Sequence, residues 1–310
     1  VKPVIIGSSI TNANTFTRGL LLVFMGSICF STKAIFVKLC LLHGVDGITA
    51  LMLRMLFALP FYVLFPFVSK EVNMRLFQTA PWGRIAFLGL VGYYLASLFD
   101  FLGLQYIQAN LERLIVFIYP TLVLLLGAII FGRRISLPQM VAVFMCYAGI
   151  IVACLSQDFD LGGRQIWMGI LFVALSALTY SIYLVFSDNI IAQIGSVAFT
   201  CFSMVISSVA VLVHYGIVHG VQLMGFDWQV YVFGLLMAVI STIIPTLFLT
   251  RGIGLIGSGN AAVISSVGPV ATISMSYFIL HEPFTSLQGV GTILVIAGVA
   301  YLGYKGSREG

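Results

Sequence analysis

Charge is what this sequence has least of. Asp, Glu, Lys and Arg make up 8% of its 310 residues, against about 25% in a soluble domain. A water-facing surface of ordinary size cannot be covered with so few. Long polar stretches are scarce as well. The longest are the arm up to Thr17, Ser69–Pro81 and Gln157–Gln165, and none can hold a soluble catalytic domain. The five cysteines (Cys29, Cys40, Cys146, Cys154 and Cys201) lie in apolar stretches with no CxxC pair, which argues against a zinc site or a disulfide framework. HExxH, a Walker lysine loop and GxSxG are all missing. His43, His214, His219 and His281 lack ligand spacing. No enzyme, cofactor or metal is therefore expected. The net charge of +5 is distributed along one side of the expected membrane topology, so it does not point to nucleic acid.

What fills the chain is hydrophobic residue, 60% of the total, with a mean hydropathy of +1.11. A helix that crosses lipid needs roughly 20 mostly apolar residues. Ten such runs occur, at 19–42, 47–68, 83–104, 109–131, 137–156, 166–187, 196–219, 229–251, 258–280 and 286–304. They exceed strand length and lack strict alternation, so they are expected as helices rather than barrel strands. Lys2 and Arg18 precede the first run as in a signal peptide. The run continues past Lys33 without a small-x-small cleavage site, so it is counted as a span. Lys and Arg favour cytoplasmic loops. Lys2, Arg18, Lys70, Arg75, Arg84, Arg133, Arg134, Arg251, Lys305 and Arg308 fall on the side of the N-terminus, with at most Lys38 and Arg164 opposite. Both termini are thus expected in the cytoplasm. Trp82, Trp167 and Trp228 open spans, where indole rings anchor at the interface.

The chain repeats itself. Ala109–Gln139 aligns with Ser258–Gln288 without gaps at an offset of 149, which sets Ile115 on Ile264, Pro120 on Pro269, Arg133 on Glu282 and Gln139 on Gln288. Ser27 falls on Ser176 and Gly149 on Gly298. Each copy holds five spans. An odd number turns the second copy upside down, giving an all-α integral membrane fold of ten transmembrane helices as two inverted five-helix repeats. The expected layout is an arm at 1–17, a first repeat at 18–156, a connection at 157–165, a second repeat at 166–304 and a tail at 305–310.

The stretch from Gly103 through Tyr106, Ala109, Glu112 and Ile115 to Pro120 resembles the EamA-type repeat of the drug/metabolite transporter superfamily. So does Gly257 through Asn260 and Ile264 to Pro269, closed by His281-Glu282-Pro283. The resemblance implies ten helices in two inverted repeats that move small metabolites or amino acids across a bacterial inner membrane. The first copy departs from the pattern, with Arg133-Arg134 at the usual acidic position and a charged Glu112-Arg113.

Ionisable groups inside spans cost at least ~2.5–3.5 kcal/mol each near the bilayer centre and point to function. They are Lys33, Arg54, Asp100, Glu112 and Arg113, with Lys38 nearer an end. At the repeat offset they become Ile182, Ser203, Leu249, Ala261 and Ala262, so the charges occupy one half only. Arg54 is expected to pair with Asp100, and Glu112 with Lys33 or Arg113. A surplus cation is left for an anionic group of the substrate. Structural ion pairing is the competing reading. Asp100 or Glu112 is also where a coupling proton would sit. Tyr93 and Ser97 share a helix face with Asp100. Ser176, Tyr180, Tyr183 and Ser187 follow helical spacing on the sixth span, as do Ser27 and Ser31 on the first and Ser265, Thr272 and Ser276 on the ninth. These stripes line a watery path or fill close helix contacts. Pro120, Pro245 and Pro269 interrupt spans and are expected as hinges or helix breaks. Gly252, Gly254 and Gly257 spell GxGxxG without a preceding strand, so they are expected in a tight turn rather than a nucleotide site.

The sequence thus reads as a secondary transporter of a small polar metabolite, an amino acid or related compound, working by alternating access in a cell inner membrane. A non-transporting receptor or channel is the second reading. The implied partners are the small-molecule substrate and the lipid bilayer, with a homodimer as an open option.

Overall fold

The computed structural model describes residues 13–69, 72, 80–132, 137–154, 163–220, 224–265 and 267–309. Lys2, Lys70, Arg75, Arg133, Arg134 and most of the arm and of the 157–165 connection lie outside them. Among the described residues every regular element is helical. Lipid offers the backbone no hydrogen-bond partner, so long apolar runs close their own amide bonds.

In chain order the helices are α1 (Ala13–Leu42), α2 (Gly47–Val68), α3 (Trp82–Gly89), α4 (Ala96–Gly103), α5 (Ala109–Val116), α6 (Tyr119–Phe131), α7 (Leu137–Cys154), α8 (Gly163–Ile194), α9 (Ser196–His219), α10 (Trp228–Ala238), α11 (Ile244–Ser265), α12 (Val267–Leu280) and α13 (Ser286–Glu309). Asp46 caps α2 by accepting from the Thr49 amide at 2.9 Å. Gly132 ends α6 in the left-handed region at φ 64°, which glycine adopts without strain. Seven stretches are long and apolar enough to cross a membrane: Thr17–Leu42, Gly47–Val68, Trp82–Gly103, Ala109–Ile130, Gln165–Ser187, Ser196–His219 and Trp228–Leu249. Val143–Val152, Val267–Leu280 and Ser286–Gly298 are shorter apolar helices, in the fifth, ninth and tenth expected spans.

Two π-helical turns interrupt this pattern. Leu90–Leu95 joins α3 to α4, and Val239–Ile243 joins α10 to α11. Their first residues are 149 positions apart, the offset of the sequence repeat. Pro245 stands two residues after the end of the second turn. Its ring removes the amide bond to the Ser241 carbonyl and crowds that oxygen, and a widened turn is a common remedy at such a point. The other two prolines mark breaks. Pro120 is the second residue of α6 and Pro269 the third of α12, within the first turn, where a missing amide proton is tolerated. The break after Val116 recurs after Ser265, again 149 residues on.

Close helix crossings also come in a matched pair. A Cβ on Gly103 would meet Val173 Cγ2 at 2.5 Å and the Gly169 carbonyl oxygen at 3.1 Å. A Cβ on Gly252 would meet Val23 Cγ2 at 2.5 Å and the Gly19 oxygen at 3.1 Å. So α4 rests on α8 much as α11 rests on α1. Gly252, Gly254 and Gly257 lie within α11, which corrects the expected turn. At Gly252 the missing side chain serves helix contact instead. Leu51, Met52, Met55, Phe101, Met204 and Met237 form the larger apolar core. Leu111, Leu114, Ile115, Cys146, Val173 and Val295 form a second. The buried charges sit on the helices that run between these cores.

Candidate functional site

Five ionisable side chains gather where α1, α2, α4 and α5 meet α12 and the second π-turn. Relative exposure is 8% for Lys33, 6% for Arg54, 2% for Asp100, 0% for Glu112 and 3% for Arg113. Helix α1 brings Phe30, Ser31 and Lys33 to one place within a turn. Lys33 Nζ lies 2.6 Å from Asp100 Oδ2 and 3.6 Å from Glu112 Oε1. The Phe30 ring lies 5.5 Å from that ammonium and 5.2 Å from the Arg113 guanidinium, a contact that partly offsets the loss of water.

The expected Arg54–Asp100 pair is not formed: Lys33 takes Asp100 instead. Arg54 donates from Nε to Thr242 Oγ1 at 3.0 Å and from Nη1 to Ser97 Oγ at 3.4 Å. Ser97 stands one turn before Asp100 on the same face, so α4 offers Arg54 a hydroxyl and Lys33 the carboxylate. The Phe101 ring lies 5.5 Å from Arg54. Glu112 faces Lys33, and Arg113 on the next residue turns away. Arg113 donates from Nε to Thr272 Oγ1 at 3.0 Å and from Nη2 to Ser31 Oγ at 3.1 Å. Among the described residues neither arginine lies at ion-pair distance from a carboxylate. Asp100 Oδ1 and Glu112 Oε2 receive no hydrogen bond. The cluster therefore holds two guanidinium groups outside ion-pair distance of either carboxylate, and among the described residues Lys33 is the one cation within that distance of Asp100 and Glu112, all withdrawn from bulk water.

Beside it stand four tyrosines. Tyr183 on α8 donates to the Tyr93 hydroxyl on the first π-turn at 3.1 Å, with ring centroids 5.0 Å apart. Tyr180 stacks on Tyr183 at 5.8 Å and meets Tyr119 edge-on at 5.4 Å. Ser176 is buried, and Ser187 bonds back to the Leu184 carbonyl of its own helix. Ser27 donates to Ser265 at 3.1 Å.

Thr242, Ser241 and Tyr119 carry no warning in the sequence, because a single hydroxyl within an apolar run costs little. Ser241 shares a hydrogen bond with Thr32 at 2.7 Å. Glu282 closes a further contact between the copies. It accepts from the Ala109 amide at 3.0 Å and the Asn110 amide at 3.4 Å, and from Ser276 Oγ. A carboxylate at the start of α5 satisfies free amides and the positive end of the helix dipole together. A carboxylate in the His281-Glu282-Pro283 segment and an uncapped helix start were both legible signals, but their meeting was not. Among the described residues no three His, Cys, Asp or Glu side chains gather as metal ligands do.

Two cavities lie elsewhere. One of about 430 Å³ opens between the α1–α2 and α9–α10 connections, lined by His43, Asp46, Thr49, His219 and Asp227. The other, about 30 Å³, lies among Tyr62, Phe65, Cys201, Thr246 and Arg251. Neither is lined by Lys33, Arg54 or Asp100.

A polytopic helical membrane protein with buried charge at its centre is the class these features define. Residues 17–155 and 167–304 each match the EamA-like transporter family. The chain belongs to that family, in a duplicated form, and is a multi-pass membrane transporter. It is 26% identical to the uncharacterized transporter YcbK of Bacillus subtilis over 94% of this chain and 95% of that one. It is 22% identical to a probable amino-acid metabolite efflux pump of Escherichia coli, over 86% and 88%. A solved crystal structure matches with a TM-score of 0.63 over 94% of this chain and 99% of its own, at 16% identity. At that identity the likeness concerns the fold alone.

Proposed function

We propose that this protein is a secondary transporter that carries a small zwitterionic metabolite, an amino acid or close derivative, by alternating access at the Lys33 cluster. The observation that carries the reading is the division of labour there. The charges come from the first copy, while Thr242 and Thr272, which hold Arg54 and Arg113, come from the second. A guanidinium offers a planar fork that fits a carboxylate better than a lone hydroxyl does. Buried oxygens without donors, as on Asp100 and Glu112, are costly unless a partner arrives. A substrate carboxylate at the arginines and its ammonium at the carboxylates would meet both demands. The Escherichia coli relative, named as a probable amino-acid metabolite efflux pump, supports the substrate class.

Ten spans in two inverted copies are part of the same proposal. The paired π-turns, the paired breaks and the exchanged glycine crossings favour it. In a two-fold relation, each copy's third span meets the other copy's first at equivalent positions. Alternating access then follows from one copy rocking against the other about a fixed site. The distribution of basic residues along the sequence favours both termini in the cytoplasm, and the bacterial relatives favour the inner membrane.

The test is counterflow in reconstituted vesicles, with each of the twenty protein amino acids supplied singly as a labelled probe. At least one should exchange, and Arg54→Ala or Arg113→Ala should slow it roughly tenfold to a hundredfold, as loss of a charged hydrogen bond implies. A folded Arg54→Ala protein exchanging at the wild-type rate would remove that residue from the site. No exchange of any amino acid by the wild type would overturn the substrate class.

A further inference from the structure

The smaller cavity stops one hydrogen bond short of the buried charges. Tyr62 and Phe65 of α2, Cys201 of α9, and Thr246 and Arg251 of α11 line it. Its 30 Å³ is room for about two water molecules. Arg251 is exposed and Tyr62 is buried, so the lining passes from a charged rim to a closed end.

That end is built from both copies. Arg54, Ala58 and Tyr62 follow one another at four-residue spacing on one face of α2. Opposite them, Thr242 of the second π-turn and Thr246 of α11 are also four residues apart. Thr242 accepts from Arg54 Nε at 3.0 Å. Thr246 gives its hydroxyl proton to the Thr242 carbonyl at 2.7 Å. A hydroxyl has one proton to give, so in the 3.3 Å contact between Tyr62 and Thr246 the tyrosine donates. Arg54–Thr242 and Tyr62–Thr246 are thus successive rungs between the copies, and the cavity begins at the second.

Two further observations single out this rung. It sits where the chain bends readily. The π-turn ends at Ile243, Pro245 adjoins Thr246, and a hydroxyl bonded back to the carbonyl four residues earlier bends a helix. The rung is also one-sided. At the repeat offset Tyr62 becomes Val211 and Thr246 becomes Ser97. Valine has no polar side-chain atom, so the equivalent pair cannot form the bond, and Ser97 serves Arg54 instead.

We propose that the Tyr62–Thr246 hydrogen bond is the inner gate of the Lys33 cluster, and that the cavity rimmed by Arg251 is the vestibule that holds the substrate's carboxylate on the inner side of it. The proposal rests on the alternating-access reading above and gives that reading a door. When the copies rock, α2 and α11 part and the rung breaks. A neutral hydrogen bond is weak enough to be broken in every cycle. Arg54 then faces the vestibule, and a carboxylate passes from one guanidinium to the next.

The test is thiol labelling of the full-length protein in inside-out vesicles, with no substrate present. The probes are two impermeant methanethiosulfonates, one bearing a sulfonate and one a trimethylammonium group. With Cys201 as the sole cysteine, both should react. The ratio of anionic to cationic rate, corrected for a free thiol, should fall about threefold in Arg251→Gln. With Cys201 replaced by serine and Ala58→Cys as the sole cysteine, labelling should be slow. Thr246→Val and Tyr62→Phe should each speed it about threefold to tenfold, the factor one neutral hydrogen bond supplies. If Ala58→Cys does not fold, Ser97→Cys, close in size to the native serine, reports from the same side of the gate. A Cys201 that is inert, or labelled only from the opposite face, would overturn the vestibule. An unchanged ratio in Arg251→Gln would remove the carboxylate from it. A buried position labelled equally fast with and without the hydrogen bond would overturn the gate. If labelling behaved as stated while no amino acid exchanged in counterflow, the substrate class would fail and the gate would stand.

Discussion

At the scale of single residues, Lys33 is the side chain on which the buried cluster depends. Among the described residues it is the only cation at ion-pair distance from Asp100 and Glu112. Taking one partner from a buried ion pair costs about 3–5 kcal/mol, because the other charge is left uncompensated. Lys33→Met should therefore lower stability by that order, measured as thermal unfolding in detergent. Lys33→Met with Asp100→Asn should recover part of the loss, since charge and counter-charge go together. Strictly additive effects would contradict direct coupling. The sequence marks all five ions, because each is costly in an apolar run. It does not mark who pairs with whom. Successive helix residues point about 100° apart, so the partner depends on how each helix is rotated. That is why Arg54 meets Ser97 and Thr242 rather than Asp100. Thr242 is one neutral hydroxyl in another copy, and its part is invisible until α2 and the second π-turn are side by side.

At the scale of elements, Pro120 and Pro269 mark breaks while Pro60 and Pro66 lie inside α2 without one, and of the two π-turns the second alone has a proline, Pro245, beside it. Pro120 and Pro269 stand within one turn of their breaks. The π-turns Leu90–Leu95 and Val239–Ile243 share no identical residue at the repeat offset, yet both copies build them. Each carries residues of the polar centre, Tyr93 on one and Thr242 on the other, as single widened turns in functional helices often do. Helix ends and crossings yield two measurable consequences. Glu282→Gln should cost about 1 kcal/mol through the weakened α5 terminus, read in thermal stability, and Glu282→Lys should cost more. Gly103→Leu and Gly252→Leu should both destabilise, because any side chain there meets Val173 or Val23 and a backbone carbonyl. Bulk at one crossing alone being tolerated would argue against matched roles. The three glycines of GxGxxG mislead as a turn signal because glycine serves turns and close helix crossings alike.

At the scale of the whole molecule, the two matched segments meet at a polar centre built unequally from each. The first copy supplies the ions and the second supplies hydroxyls. Neither described cavity is lined by that centre, and in the proposed cycle rocking of the copies opens it to the substrate. Disulfide cross-links that hold α4 against α8 at Gly103 should stop exchange, and reduction should restore it. Seven apolar spans, the duplication and the family were legible because hydropathy and residue spacing encode them directly. The three shorter apolar stretches, Val143–Val152, Val267–Leu280 and Ser286–Gly298, lie within the fifth, ninth and tenth of the expected runs. Everything proposed about mechanism requires the copies to cross the membrane in opposite senses. The most direct measurement places single cysteines at Leu42 and Gln193, both exposed, near the ends of the first spans of the two copies. In sealed right-side-out vesicles, an impermeant thiol reagent should label position 42 and leave position 193 untouched until the membrane is opened. Labelling of both positions from the same side would contradict the inverted arrangement.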